Sequence, residues 1–275
     1  MGKIVWLASY PESGANWLSL FLANLIAGSQ EPCSKQDRDM IVPAENSAKL
    51  FQPFFDRPLN EVPVRELAEK RPTIHREIAK RANGFLFLRT HSAAVRHFGV
   101  ATITPEATAA AIYIIRNPLD VAASHASARG RPIDKIIARM AQSGRLVGKS
   151  SKKACQVVGS WSENVESWTA GTRGRILCIR FEDMLENPER QFSDVVHFLR
   201  MKATPEQIAK ALENSIVGII QGHKKVGSRA EARMSPLELL RAGAAIRGQK
   251  LLTTQQMATI AGVHCDQMRK FGYWH

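Results

Sequence analysis

The sequence predicts an α/β fold: a single domain over residues 1–275, with a central parallel sheet flanked by helices and a P-loop-like anion-binding loop. Three observations carry that expectation. Short apolar runs alternate with helical segments about 25 to 70 residues apart, the rhythm of strand–helix–strand crossovers and not of hairpins. The first run, "KIVWLAS", leads through "SYPESG" straight into "ANWLSLFLANLIAG"; a strand, tight turn and helix N-terminus in succession make a common anion cradle. Several strand-like runs also end in polar residues, and in such sheets ligands bind beyond the C-terminal strand ends. At 275 residues, 44% of them hydrophobic, the chain suits one sizeable core and is short for two.

The elements follow in order. "NWLSLFLANLIAG" puts Trp17, Leu20, Phe21, Asn24 and Leu25 near one helical face and stops at Gly28. Residues 29–65 are richer in proline and charge and read as loop and short helix over the site. "VRELAEKRPTIHREIAKRAN" reads as a helix broken at Pro72, which lacks an amide hydrogen. "GFLFLRTH" is a second strand; "AAIYIIRNPLDVAASHASARG" is a third, turning at Asn117-Pro118 into a helix that ends near Gly130. "CQVVGSWSENVESWTAG" reads as helix, with Trp161, Val165 and Trp168 on a stripe that packs into the core. "GRILCIRFEDML" is the fourth strand. "NPERQFSDVVHFLR" and "TPEQIAKALEN" are helices opened by Asn187-Pro188 and Thr204-Pro205, and "TTQQMATIAGVHCDQMRKFGY" is the last helix.

Composition narrows the partners. Thirty-eight Lys and Arg against 25 Asp and Glu leave a net charge of +13, which favours something anionic. The densest basic run, "GKSSKK" (Gly148 to Lys153), has no interleaved aromatics, so an acidic ligand is expected and a nucleic-acid partner is not. No uninterrupted apolar stretch reaches about 18 residues, so neither a membrane span nor a membrane partner is expected. "MGK" passes directly into a strand-like run without a small-residue cleavage site, which points to a cytoplasmic protein. Cys33, Cys155, Cys178 and Cys265 show no metal-type spacing and read as reduced thiols.

Four segments then converge on one sheet edge: Ser9 to Trp17, Arg89 to His91, Arg116 and Phe181. Ser13, Gly14, Ala15 and Asn16 offer backbone amides at a helix N-terminus, and Ser13 and Asn16 add side-chain donors. The loop lacks the GxxxxGK[ST] pattern of nucleoside-triphosphate sites, and it carries Glu12 where a cation is expected. Taken alone it fits a structural strand–turn–helix equally well. His91 follows a strand end, where a neutral imidazole suits a general base near pH 7.

"WLASYPESGANWLSLFLANL" resembles the 5′-phosphosulfate loop of the PAPS-dependent sulfotransferases, PAPS being 3′-phosphoadenosine 5′-phosphosulfate. "FLRTH" is similar to that family's strand ending in Lys-Thr-His, and "IYIIRNPLDVAASH" to its 3′-phosphate segment. "RFEDMLENPERQFSDVVHFL" resembles its Tyr-Glu-Asp segment, and "LLRAGAAIRGQKLLTTQQ" a worn form of its C-terminal Arg-Lys-Gly loop. The five segments occur in the family's order over nearly the whole chain. The resemblance implies that Ser13 to Asn16 wrap the phosphosulfate, that Trp17 stacks on adenine and that Phe181 lines the adenine pocket. Arg116 and Ser124 would hold the 3′-phosphate, with Arg241, Ala242 and Gly243 completing its cradle. His91 would be the base, and PAPS would serve as co-substrate, leaving 3′,5′-ADP, with a small-molecule acceptor and no metal.

The departures from the family pattern fall on charge. Glu12 replaces the loop lysine, Ala242 replaces a cradle lysine, and Phe181 lacks the usual tyrosine hydroxyl. Unit charges about 4 Å apart interact with roughly 4 kcal/mol at an effective dielectric of 20, so the reversal at Glu12 bears directly on rate. Arg89, in place of a second lysine, is expected either to pair with Glu12 or to reach the sulfonate. Alternatively Glu12 turns outward toward a cationic acceptor, or is a damaged or engineered position. Three functional readings follow: a sulfotransferase acting on a hydroxyl or amine, a PAPS- and 3′,5′-ADP-binding protein of the same fold that no longer catalyses, and, least supported, polynucleotide binding. The acceptor pocket is expected from residues 30–75 and 215–240, with "QGHKKVGSRAEARMS" as a flap over the nucleotide or a solvated loop.

Overall fold

The computed structural model describes residues 3–171, 175–222, 234–244 and 250–274. Strand β1 (Ile4–Ser9) is buried along its whole length, because both of its faces are covered. Ile4, Trp6 and Ala8 enter one core, while Val5 and Leu7 enter the other. Gly14 caps helix α1 (Ala15–Ala27) with φ +105°, and Gly28 ends it in the left-handed region. Helices α2 (Lys35–Ile41), α3 (Ala48–Phe51) and α4 (Val64–Arg81) precede β2 (Leu86–Thr90). The ribbon β3 (Arg96–His97) and β4 (Val100–Ala101) leads to β5 (Thr108–Ile115), α5 (Pro118–Arg129) and α6 (Ile133–Ala141). A second ribbon, β6 (Leu146–Val147) and β7 (Gln156–Val157), precedes α7 (Trp161–Thr169) and β8 (Ile176–Arg180). The rest is helical: α8 (Phe181–Glu186), α9 (Pro188–Leu199), α10 (Pro205–Gly222), α11 (Pro236–Ala244) and a C-terminal helix Thr254–Lys270.

The main sheet has the order β2-β1-β5-β8 and is parallel throughout. Since β1 is followed by β2 on one side and β5 on the other, the strand order reverses between β1 and β5. At such a switch point the loops leaving the strands diverge and open a crevice. Helices α5, α6, α7 and the C-terminal helix close one face around Trp161 and Trp168; α1, α8, α9 and α10 close the other around Phe21 and Phe192. A small third core, with Phe51, Leu59 and Leu67, fixes the stretch between α2 and α4.

The single α/β domain with a parallel sheet flanked by helices is therefore as the sequence predicts, but three local expectations are corrected. Pro72 does not break α4, which runs unbroken from Val64 to Arg81. The proline forfeits one helical hydrogen bond, but Arg71 and His75 on either side are held by a buried network, and Leu67, Ile74 and Ile78 are buried. The stretch from Cys155 is not helix; it forms β7, and α7 starts only at Trp161, where Ser160 and Glu163 make a reciprocal capping box. Asn187 gives α9 no side-chain cap, whereas Thr204 Oγ1 does accept from the Gln207 amide, at 3.3 Å. No helix among the described residues is long and apolar enough to cross a membrane.

Candidate active site

The crevice at the switch point holds a cavity of about 790 Å³. The loop after β1 forms its floor. Because α1 begins at Ala15, its leading amides have no carbonyl partner from a preceding helical turn, but the Trp17 amide donates to the Gly14 carbonyl at 2.9 Å and the Ser13 amide, expected in the cradle, is taken by the Tyr10 carbonyl at 3.3 Å. The loop's conformation is dictated by contact: a Cβ on Gly14 would lie 2.4 Å from Phe181 Cδ2. Glu12 itself sits at φ +65°, an unfavourable region for a residue with a Cβ. It is held there by Arg116, whose Nη1 donates to the Glu12 carbonyl at 2.8 Å. The Ser13 hydroxyl is buried and has no hydrogen-bond partner. Trp17 borders the cavity from within the core, 2% exposed, its Nε1 donating to Ser215 Oγ at 3.0 Å and its ring against Phe192.

The end of β2 supplies Arg89, Thr90 and His91. His91 Nδ1 lies 2.8 Å from the Ser9 carbonyl. A carbonyl only accepts, so Nδ1 carries the hydrogen and Nε2 keeps its lone pair. Burial lowers the His91 pKa below the ordinary histidine value, and Arg89, Lys153 and Arg129 lower it further against the Ser9 bond. The imidazole is thus neutral at pH 7, with its basic nitrogen free of the backbone. Asn164 holds the neighbouring backbone, donating to the His91 carbonyl at 3.0 Å while accepting from the Tyr113 hydroxyl.

Arg89 does not pair with Glu12. Its Nη2 bonds Asp39 and its Nε donates to the Val42 carbonyl at 2.9 Å. The same Asp39 carboxylate takes Arg38, whose Nη1 reaches Asn16 Oδ1 at 3.3 Å. Burial and the nearby Arg38 lower the Arg89 pKa to about 10, Asp39 opposing; it remains a cation at neutral pH. The Glu12 carboxylate forms no ion pair among the described residues. Helix α2 therefore acts as a clamp between the start of α1 and β2 through Arg38 and Asp39, which no sequence motif singles out.

Beneath β2 lies a buried polar network. Glu45 is fully buried and takes Arg71, His75 and Gln156; Gln156 Nε2 also donates to Thr90 Oγ1 at 3.0 Å. Burial raises the Glu45 pKa, but these donors together hold it below the usual carboxylate range. The Glu45 amide donates to the Arg89 carbonyl at 2.8 Å and the Arg89 amide to Pro43, so residues 43–45 lie like a further strand along the end of β2. The charge is costly to bury but fully satisfied, and it fixes the residues on either side of His91.

On the other side of the crevice, Arg116 follows β5 and lies 4.6 Å over the Phe181 ring. Ser124, in the second turn of α5, and Phe181, at the start of α8, both line the cavity. The structure thus brings together Glu12, Ser13, Gly14, Ala15, Asn16, Trp17, Arg89, His91, Arg116, Ser124 and Phe181. It does not bring Arg241: that side chain sits on α11 and donates to the Leu185 and Glu186 carbonyls. Ala242 and Gly243 continue the same helix instead of forming a loop. The proposed flap from Gln221 to Ser235 lies largely outside the described residues. Among the described residues of the expected acceptor-pocket segments, only Ala44, Asn46, Ile219, Ile220, Leu239 and Leu240 reach the cavity. Residues 125–156 contribute much of the wall instead.

The comparisons with known proteins give the family and the fold. The family described as sulfotransferase domain matches residues 3–272, so the chain belongs to the sulfotransferase domain family, and its class is that of the sulfotransferase enzymes. Three solved structures share the fold. Mouse sulfotransferase SULT7A1 complexed with PAP is 16% identical, with a TM-score of 0.55 over 97% of this chain and 85% of that one. Retinol dehydratase in complex with androsterone and the inactive cofactor PAP is 14% identical, with a TM-score of 0.57 over 97% and 80%. The sulfotransferase domain of the Synechococcus PCC 7002 olefin synthase is 16% identical, with a TM-score of 0.51 over 98% and 94%. No curated protein sequence matches the chain.

Proposed function

We propose that the protein transfers a sulfuryl group from PAPS to a hydroxyl or amine of a small-molecule acceptor, releasing 3′,5′-ADP. The observation that carries this reading is the shared anchor at Ser9: its carbonyl orients His91, and two residues further on the chain enters the phosphate loop. Base and anion cradle are thereby registered to one another by a single strand end. The donor fits the residues present. Ser13 has a buried hydroxyl without a partner, the α1 amides open at a helix N-terminus, and only glycine fits at position 14 beside Phe181. PAP, found with two of the fold's relatives, is the desulfated form of the same donor.

In this scheme the acceptor oxygen or nitrogen attacks sulfur and its proton passes to His91 Nε2. The sulfur–oxygen bond to the phosphate breaks, and the electron pair leaves on 3′,5′-ADP. The α1 N-terminus and Ser13 stabilise the charge that accumulates there, while Arg116 and Ser124 hold the 3′-phosphate. Glu12 offers no help to the leaving group, and Arg89, committed to Asp39, does not replace the missing lysine. Calorimetric titration with PAPS and 3′,5′-ADP, followed by a sulfate-transfer assay over an acceptor panel, tests the proposal. It expects both nucleotides to bind and sulfate to move. Binding of 3′,5′-ADP without PAPS, or binding of neither, overturns it.

A further inference from the structure

Six cations line the same cavity from one stretch of chain: Arg129, Arg131, Arg139, Arg145, Lys149 and Lys153. They come from the end of α5, from α6 and from the ribbon β6–β7 with its connection. None of them forms an ion pair among the described residues. Among the described residues the cavity's only acidic side chain is Glu12. Two other buried arginines near the site have carboxylate partners: Arg38 has Asp39 and Arg71 has Glu45.

Arg145 is the unusual member. It is only 9% exposed, and its Nε is buried with no hydrogen-bond partner. Its Nη2 donates to the Tyr10 hydroxyl at 3.0 Å. Burial pushes the Tyr10 hydroxyl above its ordinary value, so Tyr10 supplies a dipole and no counter-charge. A buried guanidinium with an unfilled donor and no carboxylate is expensive to keep. It is sensible where a ligand oxyanion completes it. The donor does not account for this wall, because the α1 loop, Arg116 and Ser124 already provide for its phosphates and sulfonate. The wall also faces the base: Arg129 and Lys153 are among the charges that act on His91.

We infer that the acceptor is itself an anion: a small molecule whose phosphate monoester or carboxylate is held by Arg145 and the cations around it while its hydroxyl or amine faces His91. The inference rests on the sulfuryl-transfer reading and deepens it. A cavity of about 790 Å³ accommodates a nucleotide and a small second ligand together. The same wall disfavours the cationic acceptor that Glu12 suggested from sequence.

The test uses three matched phenols, 4-hydroxybenzyl alcohol, 4-hydroxybenzoate and 4-hydroxyphenyl phosphate, titrated into protein saturated with 3′,5′-ADP. Both anions are expected to bind at least about tenfold more tightly than the neutral phenol, and the gap narrows in high salt. Which anion binds better identifies the oxyanion the wall is built for. The exposed triple variant Arg129→Gln/Arg139→Gln/Lys153→Gln, and separately Arg145→Met, are expected to close the gap while 3′,5′-ADP affinity holds. The inference is overturned if the neutral phenol binds as well as the anions, or if neither anion binds. It is also overturned if the triple variant keeps the gap, or if that variant loses 3′,5′-ADP binding while keeping its phenol binding. Failure of the sulfuryl-transfer reading looks different: 3′,5′-ADP then does not bind, and the phenol series, run on the protein alone, still reports on the wall.

Discussion

The two halves of the cavity are built by opposite means. The side proposed for the donor is made of backbone and buried side chains: the α1 N-terminus, a glycine pressed against Phe181, and the orphan hydroxyl of Ser13. The opposite wall is made of long cations, mostly exposed, with Arg145 as the buried exception. A rigid amide cradle selects by shape and loses little entropy when its ligand arrives. A fringe of solvated guanidinium and ammonium groups selects by charge and is screened by salt. On the proposed reading the contrast divides the labour: one half would position a donor of fixed geometry, while the other would admit acceptors by charge.

The hinge between the halves is His91, and removing it should have the largest effect. His91→Asn is expected to lower kcat about 10²–10⁴-fold, the usual worth of a positioned general base, while leaving 3′,5′-ADP affinity within about twofold. Steady-state transfer rates beside calorimetric binding check the split. Equal losses in both would mean that His91 is structural, holding Ser9 and the loop, and the two halves would not be separable at that residue.

Gly14→Ala attacks the donor half alone. The new methyl would meet Phe181 at 2.4 Å, at a backbone φ of +105°. Overpacking of this kind costs about 1–3 kcal/mol. Because the strain falls on the cradle, 3′,5′-ADP binding should weaken roughly tenfold or more, with the phenol preference of the cationic wall unchanged. Glu12→Gln should act in the other direction and more gently. Glu12 is partly exposed and has no ion-pair partner among the described residues. Solvent screening reduces its repulsion of the sulfonate to about tenfold in PAPS affinity, with 3′,5′-ADP little changed. If PAPS binding instead weakens, the carboxylate contributes to the donor site.

The same division explains what was legible in the sequence. The donor half lies in contiguous motifs, so "SYPESGANW", "RTH" and "RNP" could be read as a loop, a strand end and a turn, and the parallel sheet followed from the spacing of apolar runs. What escaped was built from long-range contacts. Nothing local signals that Asp39 captures Arg89, or that Glu45, Arg71, His75 and Gln156 meet under β2. Pro72 is tolerated inside α4 for the same reason: the network around Arg71 and His75 and the buried apolar face, and not local propensity, hold the helix together. Of the wall residues, Lys149 and Lys153 stand in the basic run Gly148 to Lys153 and the four arginines count only toward net charge, because α5, α6 and the β6–β7 ribbon must fold before their cations share one cavity. Arg241 failed differently, since its motif was the most worn of the five and the helix α11 turns it toward Leu185.

The smallest predicted effect asks whether the wall reaches the base at all. Burial, Arg89, Lys153 and Arg129 each lower the His91 pKa, and the Ser9 bond alone raises it; His125, another cavity residue, interacts with His91 as well. Below its folded pKa the imidazole is protonated and cannot accept a proton, so activity falls as pH drops through a value under the ordinary 6.5 or so. The unfolded chain takes up the proton first, so His91 also lowers stability as pH falls below that ordinary value. Neutralising Arg129 and Lys153 with glutamine removes two of the lowering charges and leaves burial, the larger cause, in place. The His91 titration, followed by NMR in the unliganded protein, should therefore move upward by less than about one unit. The acid limb of kcat should move with it, and an anionic acceptor bound to the wild-type wall should produce a shift of the same sign. A titration that does not move would detach the wall from the base and leave the cations as a recognition surface only.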